Sequence, residues 1–289
     1  MTDTVGMANI RGINVSKVVS GFALQEYKMK QLCIVESSSS WQERYFQETS
    51  TELTGGTGSA VEGVPRGATF PHGQVSWTQQ NSYMKKHGME GHVYWEDAKA
   101  NDIDTVRRTL LRISRAVAKS VDDDIWDVIT EGQSASNINA VSITHEWDDH
   151  TNAVPIDNIT DGMRLIAVNN YNPYMNGYLL INPQTFHDLI THLIETSGSD
   201  IPQFSSQTVV NGQVGKLLGL TVVVSNTVTS DYAAIVIAKE AATYKQVQPL
   251  TVRTIEEPGV RYTIRAWEIG VCQLKNPKAV VLFDNIGPS

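Results

Sequence analysis

Apolar residues recur at steps of three and four along one central stretch of the chain: Ile103, Val106, Leu110, Ile113, Val117, Val121, Ile125 and Val128. This spacing places them on one face of a helix. Asn101 or Asp102 is a suitable N-cap and Gly132 a suitable end, so the pattern predicts one helix of roughly 45 Å. The helix is expected to pack along one side and to meet water on the other, since its cations lie off the apolar stripe: Arg107, Arg108, Arg112, Arg115 and Lys119.

The stretch before this helix, residues 41–95, has a different pattern. Two polar segments, 41–53 and 74–86, are rich in Thr, Tyr and Gln and have the character of exposed strands. They flank a segment with many glycines and two prolines, 54–73, so the pattern predicts a long antiparallel hairpin with a flexible tip. Because a lone two-stranded hairpin is marginally stable in water, we expect this arm to lie on its own domain or on a neighbouring copy.

Aromatic side chains mark both strands of the arm. They can serve local cross-strand pairing, or they can anchor contacts with adjacent subunits, where aromatic residues are enriched. The pattern favours the second use, because so much aromatic area on a segment without a core is otherwise hard to explain. The predicted inter-subunit contact residues are Trp41, Tyr45, Phe46, Trp77 and Tyr83.

The rest of the chain alternates between strand and helix patterns, which predicts an α+β fold with mixed or antiparallel sheets. Asn182 and Pro183 predict the start of a second helix, and Gly198 its end. Glu257-Pro258-Gly259 predicts the turn of a hairpin over 248–274. The residues at 133–142 are interpreted as a loop. Further strands are predicted at 162–170, 178–181, 215–228, 232–244 and 277–286, and a short helix followed by a strand at 14–35.

The charge and cysteine content exclude several classes of protein. The formal net charge of −8 disfavours a basic nucleic-acid-binding surface. Cys33 and Cys272 are far apart in the sequence, and each is interpreted as an isolated, small core residue of a protein made in a reducing compartment. The N-terminus lacks the pattern of a signal peptide, and no apolar run is long enough to span a bilayer, so we expect no membrane partner.

The sequence predicts no catalytic, cofactor or metal site. The richest acid and histidine cluster is His145, Glu146, Asp148, Asp149 and His150, which could hold a metal but has no predicted element to fix its geometry. Glycines divide a second group at 87–97, and His187 and His192 are five positions apart, so they do not share a helix face. Gly-rich segments at 55–63 and 212–219 lack the context of a phosphate loop. A metal-dependent hydrolase that uses the 145–150 cluster stays an alternative.

The order of these parts resembles a known family. The arm ends in WTQQNSYMKKHGMEGHVYWEDA and leads into the long helix, and later come YLLINPQTF, KLLGLTVVVSNTV and TIRAWEIGVCQLKNPKAVVLF. This arrangement resembles the major capsid proteins of tailed phages and archaeal head-tailed viruses, which have the Hong Kong 97-type fold. The resemblance covers nearly the whole chain and depends on order and spacing, not on one diagnostic motif.

The resemblance implies a division of the chain and a pair of hinges. Residues 1–40 would be an N-terminal arm and 41–95 an extended hairpin loop. Residues 96–132 and 248–274 would form a peripheral domain with a spine helix, and 133–247 and 275–289 an axial domain. Subunits of one sequence must fit both five-fold and six-fold rings, so hinge candidates are expected at the root of the loop: Gly88 and Gly91. The alternative is a tight turn there.

The function that the resemblance implies is structural, not enzymatic. Copies of the chain would assemble through pentamers and hexamers into an icosahedral head in the host cytoplasm, enclosing double-stranded DNA without sequence-specific binding. A portal would be a partner, with scaffolding or decoration proteins as further candidates. An acidic inner wall would let the genome slide during packaging. An encapsulin-like compartment shell is the alternative with the same fold.

Two expectations concern maturation. Some relatives join subunits through a Lys on the extended loop and an Asn on the peripheral domain. Lys85 and Lys86 lie on the arm, but no Asn lies between Gln248 and Leu274, so such crosslinking is not expected. There is little room for a scaffolding segment ahead of the arm, so we expect a separate scaffolding protein or a mature form of the chain.

Overall fold

The chain separates into two compact units built from interleaved segments. Unit 1 comprises Met1–Glu43, Ser82–Val128 and Thr243–Gln273, and unit 2 comprises Arg44–Asn81, Ile129–Ala242 and Leu274–Ser289. The structure is a computed structural model and describes residues 18–19, 27–48, 54–55, 65–70, 73–74, 77–100, 103–149, 151–197 and 213–287. Helices and sheets occur together, which confirms the predicted α+β class.

The strands and helices are numbered in chain order. The strands are β1 (Ile34–Ser37), β2 (Gln42–Glu48), β3 (Thr54–Gly55), β4 (Gly73–Gln74), β5 (Trp77–Tyr83), β6 (Lys85–Tyr94), β7 (Asn139–Ser142), β8 (Gly177–Ile181), β9 (Gln213–Leu217), β10 (Leu220–Val224), β11 (Tyr232–Ile237), β12 (Ala242–Glu257), β13 (Arg261–Leu274) and β14 (Val280–Asp284). The helices are α1 (Trp95–Lys99), α2 (Ile103–Ile129), α3 (Pro155–Val168), α4 (Pro173–Asn176) and α5 (Pro183–Ser197). Within the described ranges, none of these helices is long and apolar enough to cross a membrane.

A four-stranded sheet in the order β1-β12-β13-β6 lies in unit 1. β1 runs parallel to β12, and β6 runs antiparallel to β13 over ten paired residues, from Lys85 opposite Gly270 to Tyr94 opposite Arg261. The predicted hairpin is confirmed as β12 and β13. Its turn contains Gly259 with a φ of 75°, a left-handed conformation that glycine adopts without steric cost.

The apolar stripe of α2 forms the core of unit 1, as the periodicity predicts. Leu110, Ile113 and Val117 are buried and pack in one cluster with sheet residues that include Ile264 and Ala266. The helix contains 27 residues and is therefore about 40 Å long. The predicted N-cap positions, 101 and 102, lie outside the described residues.

Unit 2 contains a six-stranded mixed sheet in the order β7-β14-β11-β8-β10-β9. β7 is parallel to β14 and β10 is parallel to β8, whereas β11 is antiparallel to both of its neighbours. The predicted strand at 178–181 is confirmed as β8, and its residues Leu179, Leu180 and Ile181 are fully buried. The predicted cap of α5 is also confirmed, because the Gln184 N–H donates a hydrogen bond of 3.0 Å to Asn182 Oδ1.

Two sequence predictions in unit 2 are wrong. Residues 162–170 were predicted to be a buried strand, but 155–168 form α3, which buries Ile159, Met163 and Ile166 at helical spacing. The helix packs closely on β14, where a Cβ added at Gly162 would lie 2.5 Å from Phe283 Cζ. Residues 133–142, interpreted as a loop, contain β7 at the edge of the sheet.

Candidate assembly surface

The predicted arm is a hairpin with two short paired regions. β2 pairs with β5, and farther along the arm β3 pairs antiparallel with β4, with Gly55 opposite Gly73. At the base, the Met84 N–H donates to the Trp41 carbonyl at 3.0 Å. Farther out, within unit 2, the Glu48 N–H donates to the Lys275 carbonyl at 2.9 Å. Backbone hydrogen bonds therefore anchor the arm at both ends of β2.

The arm exposes most of the aromatic residues predicted to contact neighbouring subunits. Large aromatic side chains with this much exposure are unusual on a protein that has no partner. Tyr45 is half-buried and has a contact within the chain. The exposed fractions of the other four are 64% for Trp41, 58% for Phe46, 56% for Trp77 and 64% for Tyr83. Phe70, which lies near the arm's tip and was not singled out from the sequence, is 79% exposed. Their role as subunit contacts stays a prediction.

The two glycines predicted as hinges lie inside β6, not in a turn. Gly88 is paired with Trp267 and Gly91 with Ile264 in an unbroken register. A Cβ added at Gly91 would lie 2.6 Å from Ile113 Cδ1 and 2.9 Å from Thr109 Cγ2, so α2 packs directly on this backbone. The alternative of a tight turn is wrong. The close approach gives Gly91 a packing role, and the hinge role of both glycines stays a prediction.

Replacing Gly91 with alanine is expected to lower the free energy of unfolding by about 1–3 kcal/mol, the usual cost of overpacking a core. The added methyl group must displace Ile113, which is only 1% exposed. Urea unfolding of the unassembled subunit measures the change. A variant with unchanged stability that nevertheless fails to form shells would contradict the packing role and favour the hinge role.

Within unit 1, a buried carboxylate on α2 clamps the N-terminal segment that precedes β1, residues 27–33. Asp122 is 3% exposed and accepts hydrogen bonds from the backbone N–H groups of Lys28, at 2.7 Å, and Lys30, at 3.2 Å. Desolvation by burial raises the pKa of Asp122 to about 6, against the lowering effect of these backbone donors. The carboxylate therefore replaces the backbone partners that this short, irregular segment cannot find in a sheet.

A second buried carboxylate, Glu268 on β13, holds the side chains of the same segment. Glu268 is fully buried and accepts from the Tyr27 hydroxyl at 2.5 Å and from Gln246 Nε2 at 2.8 Å, and it forms an ion pair with Lys30. The Lys30 ammonium also lies 4.9 Å from the centre of the Tyr244 ring. Burial and the Glu268 charge raise the pKa of Tyr27, so its hydroxyl stays protonated and donates. Sequence reasoning missed this clamp, although Glu268 is a charge between two apolar residues, Trp267 and Ile269.

The stability of the subunit is expected to depend on the ionisation of Asp122. Its pKa rises from 3.8 to about 6 in the folded state, so the folded state binds the proton more tightly. The resulting stabilisation, about 3 kcal/mol, is fully present below pH 3.8 and is lost as the pH rises through about 6. Asp122→Asn removes this titration, so the stability of wild type relative to the variant should fall from pH 4 to pH 7 in urea unfolding. Parallel pH profiles would contradict the assignment.

The two cysteines are neighbours, which corrects the interpretation that each is isolated. Both are buried and reduced, as core residues are expected to be. A hydrogen bond with the Cys33 thiol, together with burial, raises the pKa of the Cys272 thiol. Cys33 directly follows the clamped segment, so it adds to the contacts between that segment and β13.

The lysines at the root of the arm have partners within unit 1. Lys85 forms an ion pair with Asp124 of α2, and the Lys86 ammonium lies 5.9 Å from the centre of the Trp267 ring. Next to them, His87 Nδ1 is 2.8 Å from Ser120 Oγ, and burial lowers the pKa of His87. Through these contacts, Lys85 links β6 to α2, and Lys86 links β6 to β13.

The described part of the acid and histidine cluster, 145–149, is a turn in which His145 is exposed and the three acidic residues are half-buried. Asp149 accepts from the Thr151 N–H at 3.1 Å and from Asn152 Nδ2 at 2.9 Å, and these hydrogen bonds lower its pKa. His145 Nδ1 lies 3.7 Å from Asp149 Oδ2, and His150 lies outside the described residues. Across the described part of the chain, no three His, Cys, Asp or Glu side chains are arranged to hold a metal ion.

A family model described as phage capsid protein matches residues 83–283 of this chain. The match begins at the base of the arm and continues through α2 and both sheets to the last strand. A comparison with curated protein sequences finds no match.

Solved structures of shell proteins share the fold. The virus-like particle from Pyrococcus furiosus superposes with a TM-score of 0.64 at 12% identity, covering 95% of this chain and 100% of that one. The capsid of cyanophage P-SCSP1u has a TM-score of 0.64 at 13% identity, covering 91% and 89%. The SrpI encapsulin of Synechococcus elongatus has a TM-score of 0.58 at 11% identity, covering 89% and 86%.

Proposed function

Because the chain belongs to the phage capsid protein family, we propose that it is the major capsid protein of a tailed virus. Its copies assemble through pentamers and hexamers into an icosahedral head that encloses double-stranded DNA. The head is built in the host cytoplasm and becomes part of the virion. The protein has a structural role, and a portal, with scaffolding or decoration proteins as candidates, completes the particle.

The exposed aromatic arm is the observation that carries this proposal. Trp41, Phe46, Trp77 and Tyr83 are each more than half exposed. Aromatic side chains are the usual anchors of protein interfaces, and in a closed symmetric shell each contact is repeated many times. Weak individual contacts made by the arm therefore add up to a stable particle.

The two compact units support the proposal that the chain has two main domains with different positions in the shell. We assign the peripheral domain to 96–132 and 248–274, which contain α2 and the long β12–β13 hairpin. The axial domain is assigned to 133–247 and 275–289, which contain the six-stranded sheet. The extended loop that overlaps a neighbouring copy is assigned to 41–84 and not to the whole of 41–95, because β6 pairs with β13 in the sheet of unit 1. Residues 1–40 form the N-terminal arm, held by Asp122 and Glu268.

Negative-stain electron microscopy of the purified recombinant protein, with sedimentation velocity, tests the proposal. We expect closed shells with icosahedral outlines, together with free pentamers and hexamers. A protein that remains a compact monomer at high concentration, with the arm protected from protease, would contradict the proposed function.

A protein compartment is the second candidate, because an encapsulin shares the fold with a TM-score of 0.58. In that case the shell would enclose a cargo protein and would lack a portal. Particles purified from the natural source distinguish the two candidates. Heads with a portal and nuclease-protected DNA support the virus, whereas tailless cages that contain protein support the compartment.

A further inference from the structure

The exposed face of α2 carries a row of cations. Over residues 108–119, every exposed side chain of this helix is basic: Arg108, Arg112, Arg115 and Lys119. At 3.6 residues per turn these four positions fall within about 60° of arc, and they extend over about 17 Å along the helix axis. We call these four residues the cationic row. The opposite face of the helix is buried against the sheet.

The cationic row is a locally positive surface on a chain that is acidic overall, with a formal net charge of −8. Arg115 has a further interaction within the chain, and at one end of the row Lys119 Nζ lies 3.6 Å from Asp123, where both side chains are substantially exposed. Such surface pairs contribute little energy and are screened by salt. The row therefore presents a line of positive charge on a rigid element.

We infer that the cationic row contacts the phosphate backbone of the packaged double-stranded DNA, an inference that rests on the proposed function. Each strand of a duplex presents a negative charge every 3.4 Å or so along its axis, so a rod of cations can meet several phosphates at once. Arginine suits this contact because its guanidinium binds phosphate through two parallel hydrogen bonds. Contacts to phosphate oxygens carry no direct sequence information, so binding through the row is independent of base sequence. The acidic lining expected from net charge does not extend to this surface.

Fluorescence anisotropy with a labelled duplex of random sequence tests the inference on unassembled subunits. The test variant is Arg108→Gln, Arg112→Gln and Lys119→Gln. Arg115 is kept, because it makes another contact within the subunit. The control, with the same change in net charge, is Lys216→Gln, Lys239→Gln and Arg253→Gln, three exposed cations outside the row.

The salt dependence of binding is the decisive readout. Each lost phosphate contact should reduce the slope of log affinity against log salt by about 0.9, so the test variant should lose nearly three units of slope. The control should keep the slope of the wild type. Arg108→Lys with Arg112→Lys should also keep it, because charge is retained. Circular dichroism checks that each variant is folded.

Two results would overturn the inference. In the first, the test variant binds DNA with the affinity and slope of the wild type. In the second, it keeps DNA binding but no longer forms shells, which would make the row a contact between protein copies. Failure of the proposed function is a separate observation, because it requires that the wild-type protein forms no shells at all.

Discussion

Replacing Glu268 with alanine is expected to lower the free energy of unfolding by about 3–5 kcal/mol, the usual cost of removing one partner from a buried ion pair. The Lys30 ammonium would be left without its carboxylate, and the Tyr27 hydroxyl and Gln246 amide would lose their acceptor. Because Tyr27 and Lys30 belong to the N-terminal segment, the segment should also become accessible to protease. Urea unfolding and limited proteolysis of the unassembled subunit measure the two effects.

Glu90 supplies the matched control for this prediction. It forms an ion pair with Arg265 across β6 and β13, but both side chains are substantially exposed. Exposed pairs of this kind contribute at most about 1 kcal/mol, so Glu90→Ala should have a small effect. Equal losses of stability for Glu268→Ala and Glu90→Ala would show that the buried carboxylate does not hold the N-terminal segment.

The elements that were predicted correctly are those whose signal is local and repeated. The stripe of α2 repeats over many turns, so no single residue decides the prediction. The β12–β13 hairpin has a Pro-Gly turn between two long strand patterns, and α5 has its cap and its proline at the expected positions. In each case the prediction of the element depends only on residues that are close together along the chain.

The prediction failed where a short apolar run is compatible with both a buried strand and a helix. The segment of α3 from Met163 to Val168 contains several adjacent apolar residues, as a buried strand does. Helical spacing is visible only when Ile159 is included, and the helix is then long enough to bury Ile159, Met163 and Ile166 on one face. Gly162, the first residue of that predicted strand, lets the helix approach Phe283.

The clamp and the cysteine pair could not be predicted because they join residues that are distant in sequence. Tyr27 and Glu268 are 241 positions apart, and Lys28 and Asp122 are 94 apart. A single sequence contains no information on such pairing. What it does show is that Glu268 is a charge between two apolar residues, Trp267 and Ile269, and a charge that is buried needs partners. The identity of the partners follows only from the fold.

Replacing both Trp41 and Trp77 with alanine is expected to abolish shell formation while the subunit stays folded. Each side chain is more than half exposed, so the subunit core loses little. Buried aromatic anchors at interfaces contribute about 2 kcal/mol or more each, so the double variant should weaken one contact by about a thousandfold. Because the contact recurs around the shell, assembly should fail at concentrations where the wild type assembles.

Tyr174→Ala is the control, because Tyr174 is an aromatic residue with 68% exposure that lies outside the arm. Sedimentation velocity and negative-stain microscopy report assembly, and circular dichroism reports folding. The arm is the assembly contact only if its two tryptophans matter more than an equally exposed aromatic residue elsewhere. Shells of the double variant at the wild-type concentration, or an equal loss of assembly in Tyr174→Ala, would contradict that role. The comparison separates a specific contact from general surface hydrophobicity, since the three residues differ little in exposure but differ in their place in the chain.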